Sequence, residues 1–245
     1  MATRIQLCGR LVATIDGKRV ERELAGMQAR LLFAYLVLHR LRASSHHELI
    51  DALWAEPPRS ADSALYALVS RLRRVVGAQR IEGRSELRLV LAEDAWVDVE
   101  AAHAAVHRAE SAAAHEDWPS AWVAARIAQH IAVRPLAPGA DTPPWLEEHR
   151  RDLEGTYLRA LELAAQASLR IGGGELNTAE RTARVLVRQA PFRESGYRYL
   201  MEALAARGNT AEALNVYETL RTLLREELGA APSRATQDVH RALLR

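Results

Sequence analysis

The hydrophobic pattern changes character along the chain, and the change falls near residue 98. In the first part, apolar positions come in short runs: Ile5 and Leu7, then Leu11, Val12, Ala13 and Ile15. They predict short strands over residues 4–20, with a turn at Asp16-Gly17. Helical spacing follows over about 27–40 and 46–54. The second of these segments opens on Ser45-His46-His47-Glu48, a capping box in which Ser45 caps and Glu48 reaches back. Pro57-Pro58 stops it. Ser60 is placed to cap a third helix that runs to Val76, with Asp62 in its first turn and Gly77 at its end. Two short strands, near 79–82 and 87–91, then flank the polar turn Gly83-Arg84-Ser85-Glu86. Strands, three helices and a terminal hairpin together describe a winged helix-turn-helix.

From Val99 onward the strand signal disappears. Helices are predicted near 99–115, 118–133, 145–170, 176–189, 193–207, 210–227 and 233–244. Turns fall at Pro135–Pro144, Gly172-Gly173-Gly174, Pro191, Gly208-Asn209 and Gly229–Pro232. The tetrapeptide Asn-Thr-Ala-Glu occurs at 177–180 and again at 209–212, a spacing of 32 residues that is close to the tetratricopeptide period. Small residues (Ala211, Ala213) followed by bulky ones (Leu214, Tyr217, Leu220) suit close packing of paired helices. The fold class expected is therefore mainly α. An α+β winged-helix domain over 1–98 precedes an all-α, tetratricopeptide-like domain over 99–245.

Charge sharpens this division. The net charge is only +2, but residues 1–92 carry 15 basic and 9 acidic side chains, a net of +6, and the remainder is net −4. A basic front half joined to a mildly acidic back half points to a polyanion meeting the front half alone, although chance variation would give the same imbalance. The basic residues are 32 Arg and one Lys (Lys18), which reads as a GC-rich coding genome. Cys8 is the only cysteine, so intrachain disulfides and cysteine metal knuckles are excluded. No long uncharged apolar run suggests a membrane span, and Arg4, Arg10 and Lys18 interrupt any signal-like stretch, so a cytoplasmic protein is expected.

The third helix carries the most informative chemistry. Leu65, Val69, Leu72 and Val76 form the apolar stripe that anchors it. The opposite face presents Ser60, Ser63, Ala64, Ala67, Ser70, Arg71 and Arg74. Apart from the arginines these residues are small, which lets a helix axis approach base edges in a major groove. Arg71 and Arg74 reach toward guanine edges or phosphates, and Arg73 lies on the flank toward the backbone. Arg84 and Arg88 add charge to the hairpin, where short arginine-bearing wings lie against a minor groove. A plain solvated basic helix end, favoured by the helix dipole, is the competing explanation.

The segment LIDALWAEPPRSADSALYALVSRLRRVVG, residues 49–77, resembles the OmpR-type winged helix of the Streptomyces antibiotic regulatory protein family. Residues 145–245 resemble the bacterial transcriptional activation domain that follows it, most closely at AEALNVYETLRTLLREELGAAPS, 211–233. The resemblance implies a transcriptional activator that binds tandem direct repeats near promoters as side-by-side protomers. It also implies recruitment of RNA polymerase through its sigma and alpha subunits. By position in the motif, Arg71 and Arg73 correspond to recognition-helix arginines, with Ser63, Ala64 and Ala67 facing bases. The loop Glu56-Pro57-Pro58-Arg59 falls where related winged helices touch polymerase, which nominates Glu56 and Arg59. Two positions depart from the pattern. Met27-Gln28 stands where many relatives have a basic residue, and Leu87-Arg88 stands where the wing often has Gly-Tyr. The first departure bears on one phosphate contact, and the second offers another.

Enzyme chemistry finds no comparable support. His103 and His107 are four apart on a predicted helix, with only Glu100 or Glu110 near enough in sequence to extend a metal site. His46 and His47 lie outside any HExxH pattern, and Gly172-Gly173-Gly174 lacks the order of a phosphate loop. Trp118, Trp122 and Trp145 suit core packing better than a ligand pocket, although a small ligand in the helical domain stays open. No cofactor and no nucleophile–base pair is expected, and no receiver, ATPase or forkhead-associated segment is expected within the 245 residues. Two readings follow: a promoter-binding regulator whose helical domain dimerises or senses a signal, or a helical partner-binding scaffold whose winged helix no longer binds DNA.

Overall fold

The computed structural model describes residues 3–138 and 143–245. By contact the chain divides into two compact units: residues 1–101 with 134–153, and residues 102–133 with 154–245.

The first unit opens with β1 (Arg4–Gln6), β2 (Val12–Ile15) and β3 (Lys18–Arg19). Asp16 and Gly17 both have positive φ (51° and 83°), so the predicted turn at Asp16-Gly17 is a tight hairpin turn between β2 and β3. β7 (Trp96–Val97) adds in parallel to β1 and gives a four-stranded sheet of order β3-β2-β1-β7. Three helices follow β3 in sequence: α1 (Met27–Leu38), α2 (His46–Leu53) and α3 (Ala61–Val76). Residues 31–37 of α1 are all buried, which makes it the central helix, apolar all round. Ser45 and Glu48 form the expected capping box at the start of α2, with Ser45 Oγ accepting from Glu48 N and Glu48 accepting from Ser45 N. Ser60 does occupy the N-cap position of α3, but its side chain makes no capping bond. Its backbone, at φ −108° and ψ 34°, is outside the extended conformation from which a serine side chain caps, and Ala61 N donates instead to Pro58 O at 2.9 Å. A second sheet, of order β4-β6-β5, joins β4 (Ser44–Ser45), β6 (Glu86–Leu89) and β5 (Ile81–Glu82). β5 and β6 are the wing hairpin.

Two features close this unit from outside its contiguous sequence. Asp98, fully buried, accepts hydrogen bonds from Leu7 N, Cys8 N and Val99 N at 2.8–2.9 Å, and so ties the start of α4 (Asp98–Ala114) to the end of β1. Burial and the Asp98 carboxylate push the Cys8 thiol far above its usual range, which leaves it an inert core residue. Residues 134–138 also return to β1, with Gly9 N donating to Pro135 O and Ala137 N to Leu7 O. The predicted turn at Pro135–Pro144 includes residues 139–142, which lie outside the described residues. The first turns of α6 (Pro144–Ile171) then lay Trp145 edge-on to Tyr35, and its indole Nε1 donates to Ala52 O at 2.9 Å.

The second unit is helical throughout. The remainder of α4, α5 (Trp118–Ala132) and the body of α6 pack through a small-residue core that includes Ala105, Ala109, Ala125, Ala128, Ala160 and Ala164. So many alanines bring helix axes close together. α7 (Leu176–Gln189), α8 (Glu194–Ala206), α9 (Thr210–Leu228) and α10 (Arg234–Leu243) follow as hairpins with short turns. Ala183, Leu200, Met201, Leu204, Ala213 and Tyr217 form their core. The repeated tetrapeptide has a structural counterpart here. Arg184 bridges Glu180 and Glu212, the last residue of each copy, at 2.9 and 2.5 Å. Among the described residues no helix is long and apolar enough to cross a membrane.

Candidate nucleic-acid interface

The anchoring of α3 follows its sequence pattern. Leu65, Val69, Leu72 and Val76 are buried, between 1% and 4% exposed. On the opposite side Ser60, Ser63, Ala67, Ser70, Arg71 and Arg74 are exposed, and Ala64 is half-buried. The helix therefore presents a nearly flat face of small side chains, with the two guanidinium groups toward its C-terminal end.

The arginines are not equivalent. Among the described residues none pairs with Arg74 or with Arg84 at the wing tip. Arg71 Nη1 makes only a long contact, 3.5 Å, to Ala25 O in the turn entering α1. Arg73 is engaged: its Nε and Nη2 donate to Ile81 O at 3.3 Å, and its Nη2 donates to Gly83 O at 2.7 Å. Arg88 is exposed but pairs with Glu82 across the hairpin at 2.9 Å. Leu87, beside it, is buried at 1% exposure, so the departure from Gly-Tyr places an aliphatic side chain under the wing and a paired charge on it. Glu56 and Arg59 lie in the exposed α2–α3 loop.

The wing tip is tightly made. Gly83 has φ 89°, and a Cβ there would sit 1.8 Å from Glu86 O, so only glycine fits the turn. Arg84 follows it directly.

One prominent residue of this face escaped the sequence reading. Tyr66 is 59% exposed on the flank of α3, edge-on to His46 at 5.0 Å between ring centroids. With Ser70, Arg73, Arg74, Gly77 and Ala78 it lines an open groove along the C-terminal half of the helix. The signal was available, because position 66 falls outside the Leu65–Val69–Leu72–Val76 stripe by helical geometry alone.

The other residues weighed from sequence are dispersed. His107 Nδ1 lies 3.6 Å from a Glu110 carboxylate oxygen, and among the described residues no three metal-ligating side chains come together. Trp145 belongs to the first unit, whereas Trp118 and Trp122 belong to the second, with Arg170 over the Trp118 ring at 5.8 Å and Arg126 over Trp122 at 6.0 Å.

Comparison with known proteins adds to this geometry. Residues 97–244 match the family described as bacterial transcriptional activator domain, and residues 21–88 match that described as transcriptional regulatory protein, C terminal. The regulatory protein AfsR of Streptomyces coelicolor is 33% identical over 246 residues, 99% of this chain and 24% of that protein. AfsR of Streptomyces griseus is 32% identical over 229 residues, 89% of this chain and 22% of that protein. The transcriptional regulatory protein EmbR of Mycobacterium tuberculosis is 28% identical over 250 residues, 98% of this chain and 62% of that protein. The chain thus spans under a quarter of the length of the AfsR relatives. A solved structure of Mycobacterium tuberculosis EmbR, in complex with a low-affinity phosphopeptide, has the same fold, with a TM-score of 0.88 at 24% identity over 99% of this chain and 65% of that one. With an OmpR-type module followed by a bacterial transcriptional activator domain that spans most of its length, the chain belongs to the Streptomyces antibiotic regulatory protein family of transcriptional regulators.

Proposed function

We propose that the chain is a sequence-specific, duplex-DNA-binding transcriptional activator, working in the cytoplasm on promoters that carry direct repeats. α3 enters the major groove. The observation that carries this reading is its exposed face: Ser63, Ala67 and Ser70 project little, so the helix axis can approach base edges. Arg74, unpaired among the described residues, and Arg71, held only by its long contact to Ala25 O, are exposed beside them. Ala64 and Ser60 border the same face, and Tyr66 supplies an aromatic edge against the groove wall. Arg84, with Arg88 beside it, meets the phosphate backbone at the neighbouring minor groove. Relatives whose names make them regulatory proteins support the reading, as does the net charge of +6 over residues 1–92.

Direct repeats imply two protomers side by side, a homodimer assembled on DNA. The exposed loop bearing Glu56 and Arg59 is the surface for RNA polymerase sigma or alpha subunits.

Footprinting on the chain's own upstream region tests the reading, comparing wild type with Arg71→Ala and Arg74→Ala. Wild type should protect a repeated site, with log K falling steeply against log salt, by about 0.9 for each phosphate neutralised. Arg71→Ala should cost about 1–3 kcal/mol and relax discrimination at one base pair. Equal, weak binding to all duplexes, indifferent to both substitutions, would return the winged helix to the role of a protein-contact module.

A further inference from the structure

The wing is braced from several sides. At its base Val90 N donates to Arg80 O at 2.7 Å, and Arg80 Nη2 pairs with Asp16 on the β2–β3 turn at 2.6 Å. Across it Arg88 pairs with Glu82. At its tip, among the described residues, the brace from α3 is the Arg73 guanidinium on Ile81 O and Gly83 O. The Gly83 carbonyl belongs to the peptide plane whose nitrogen is that of Arg84. Because the peptide unit is rigid and planar, holding that oxygen orients the whole plane and sets where the Arg84 Cα stands. The tight turn leaves little other freedom, since Gly83 already sits at φ 89° against Glu86 O.

We propose that Arg73 is a positioning residue, which fixes the wing against α3 so that Arg84 meets the duplex backbone, and that it does not itself contact base or phosphate. This role rests on the duplex-binding reading above. It departs from the sequence expectation for Arg73, and its basis is geometric. The guanidinium is half-buried, and its Nε and Nη2 donors are committed to the wing, whereas its neighbour Arg74 is exposed and unpaired among the described residues. The guanidinium places two nitrogens in one plane, Nε and Nη2 forking on Ile81 O while Nη2 also reaches Gly83 O, and the single nitrogen of lysine cannot reproduce that geometry even though it keeps the charge.

The test uses the full chain with Arg73→Ala, Arg73→Lys, Arg84→Ala and the double variant Arg73→Ala/Arg84→Ala. Hydrogen exchange of the amides at 84–88 is measured first, without DNA. Both Arg73 variants should speed exchange there on the order of tenfold or more, while amides of α1 keep their protection. Binding to a protected duplex is then measured across a salt series. Arg73→Lys should lose as much affinity as Arg73→Ala, each should flatten the salt slope as Arg84→Ala does, by about 0.9, and the double variant should lose no more than either single one. Two results overturn the proposal: undisturbed exchange with a Lys variant that binds like wild type, or losses that add in the double variant, as a direct phosphate contact requires. If wild type prefers no duplex, the regulator reading fails, and the exchange rates alone decide whether Arg73 holds the wing. Should Arg73→Ala fail to melt cooperatively, Arg73→Lys decides between the outcomes.

Discussion

His39 stands where several rings meet. It stacks on Tyr35 at 4.1 Å between centroids, faces His149 at 5.0 Å and Trp145 at 6.2 Å, and its Nδ1 lies 2.9 Å from Tyr35 O. Burial lowers its pKa below the ordinary histidine value. His149 on α6 and Arg42 after α1 add to the lowering, against the opposing pull of the Tyr35 carbonyl and of Glu48 on α2. The sign follows from proton counting. The unfolded chain takes up a proton on His39 near pH 6.5 and the folded chain only at lower pH, so stability present above that value is lost as pH falls through the folded pKa. Thermal melts at pH 7.5, 6.5 and 5.5 should therefore show a larger acid loss for wild type than for His39→Gln. Equal losses would mean that the ring cluster tolerates the charge. Nothing in the sequence marked this cluster, because Tyr35, His39, Trp145 and His149 sit on two helices far apart in the chain. Residue-level reading succeeded where a local pattern sufficed, as at the Ser45–Glu48 box, and failed where the backbone left the extended conformation a cap needs, as at Ser60.

At the scale of elements, periodicity decided what was legible. α1 to α10 could each be placed from apolar spacing and from punctuation by proline and glycine, because a helix repeats its pattern over several turns. β4 and β7, two residues each, were invisible, since two positions carry no alternation. They are strands because β1 and β6 offer them backbone partners. For the candidate interface the stripe and the small-residue face of α3 could be read directly. The commitment of Arg73 to the wing could not, because it depends on where a hairpin some ten residues later folds back. That hairpin yields a prediction of its own. Gly83→Ala forces a Cβ to within 1.8 Å of Glu86 O at a positive φ, so the turn must open at a cost of about 1–3 kcal/mol. Urea denaturation should register the loss, and duplex affinity should fall with it while helix content is unchanged. A variant of wild-type stability and affinity would show that the turn rearranges freely.

At the scale of the molecule, the two units are interleaved in sequence. Residues 97–244 match the bacterial transcriptional activator domain. Contacts nonetheless return residues 134–153 to the first unit, through the Gly9–Pro135 and Leu7–Ala137 backbone bonds and the Trp145–Ala52 bond. No composition or spacing announces that return, because its signal is a partner rather than a motif.

The return has a consequence during synthesis. A ribosome delivers residues in order, at roughly 5–20 per second, and domains generally fold as they emerge. Here the module that holds α3 lacks part of its shell until residue 153 has left the exit tunnel. Stalled nascent chains should therefore gain protease resistance over residues 1–98 only once the released length passes that point. Resistance arising as soon as residue 98 emerges would mean that the late segment merely decorates a finished module.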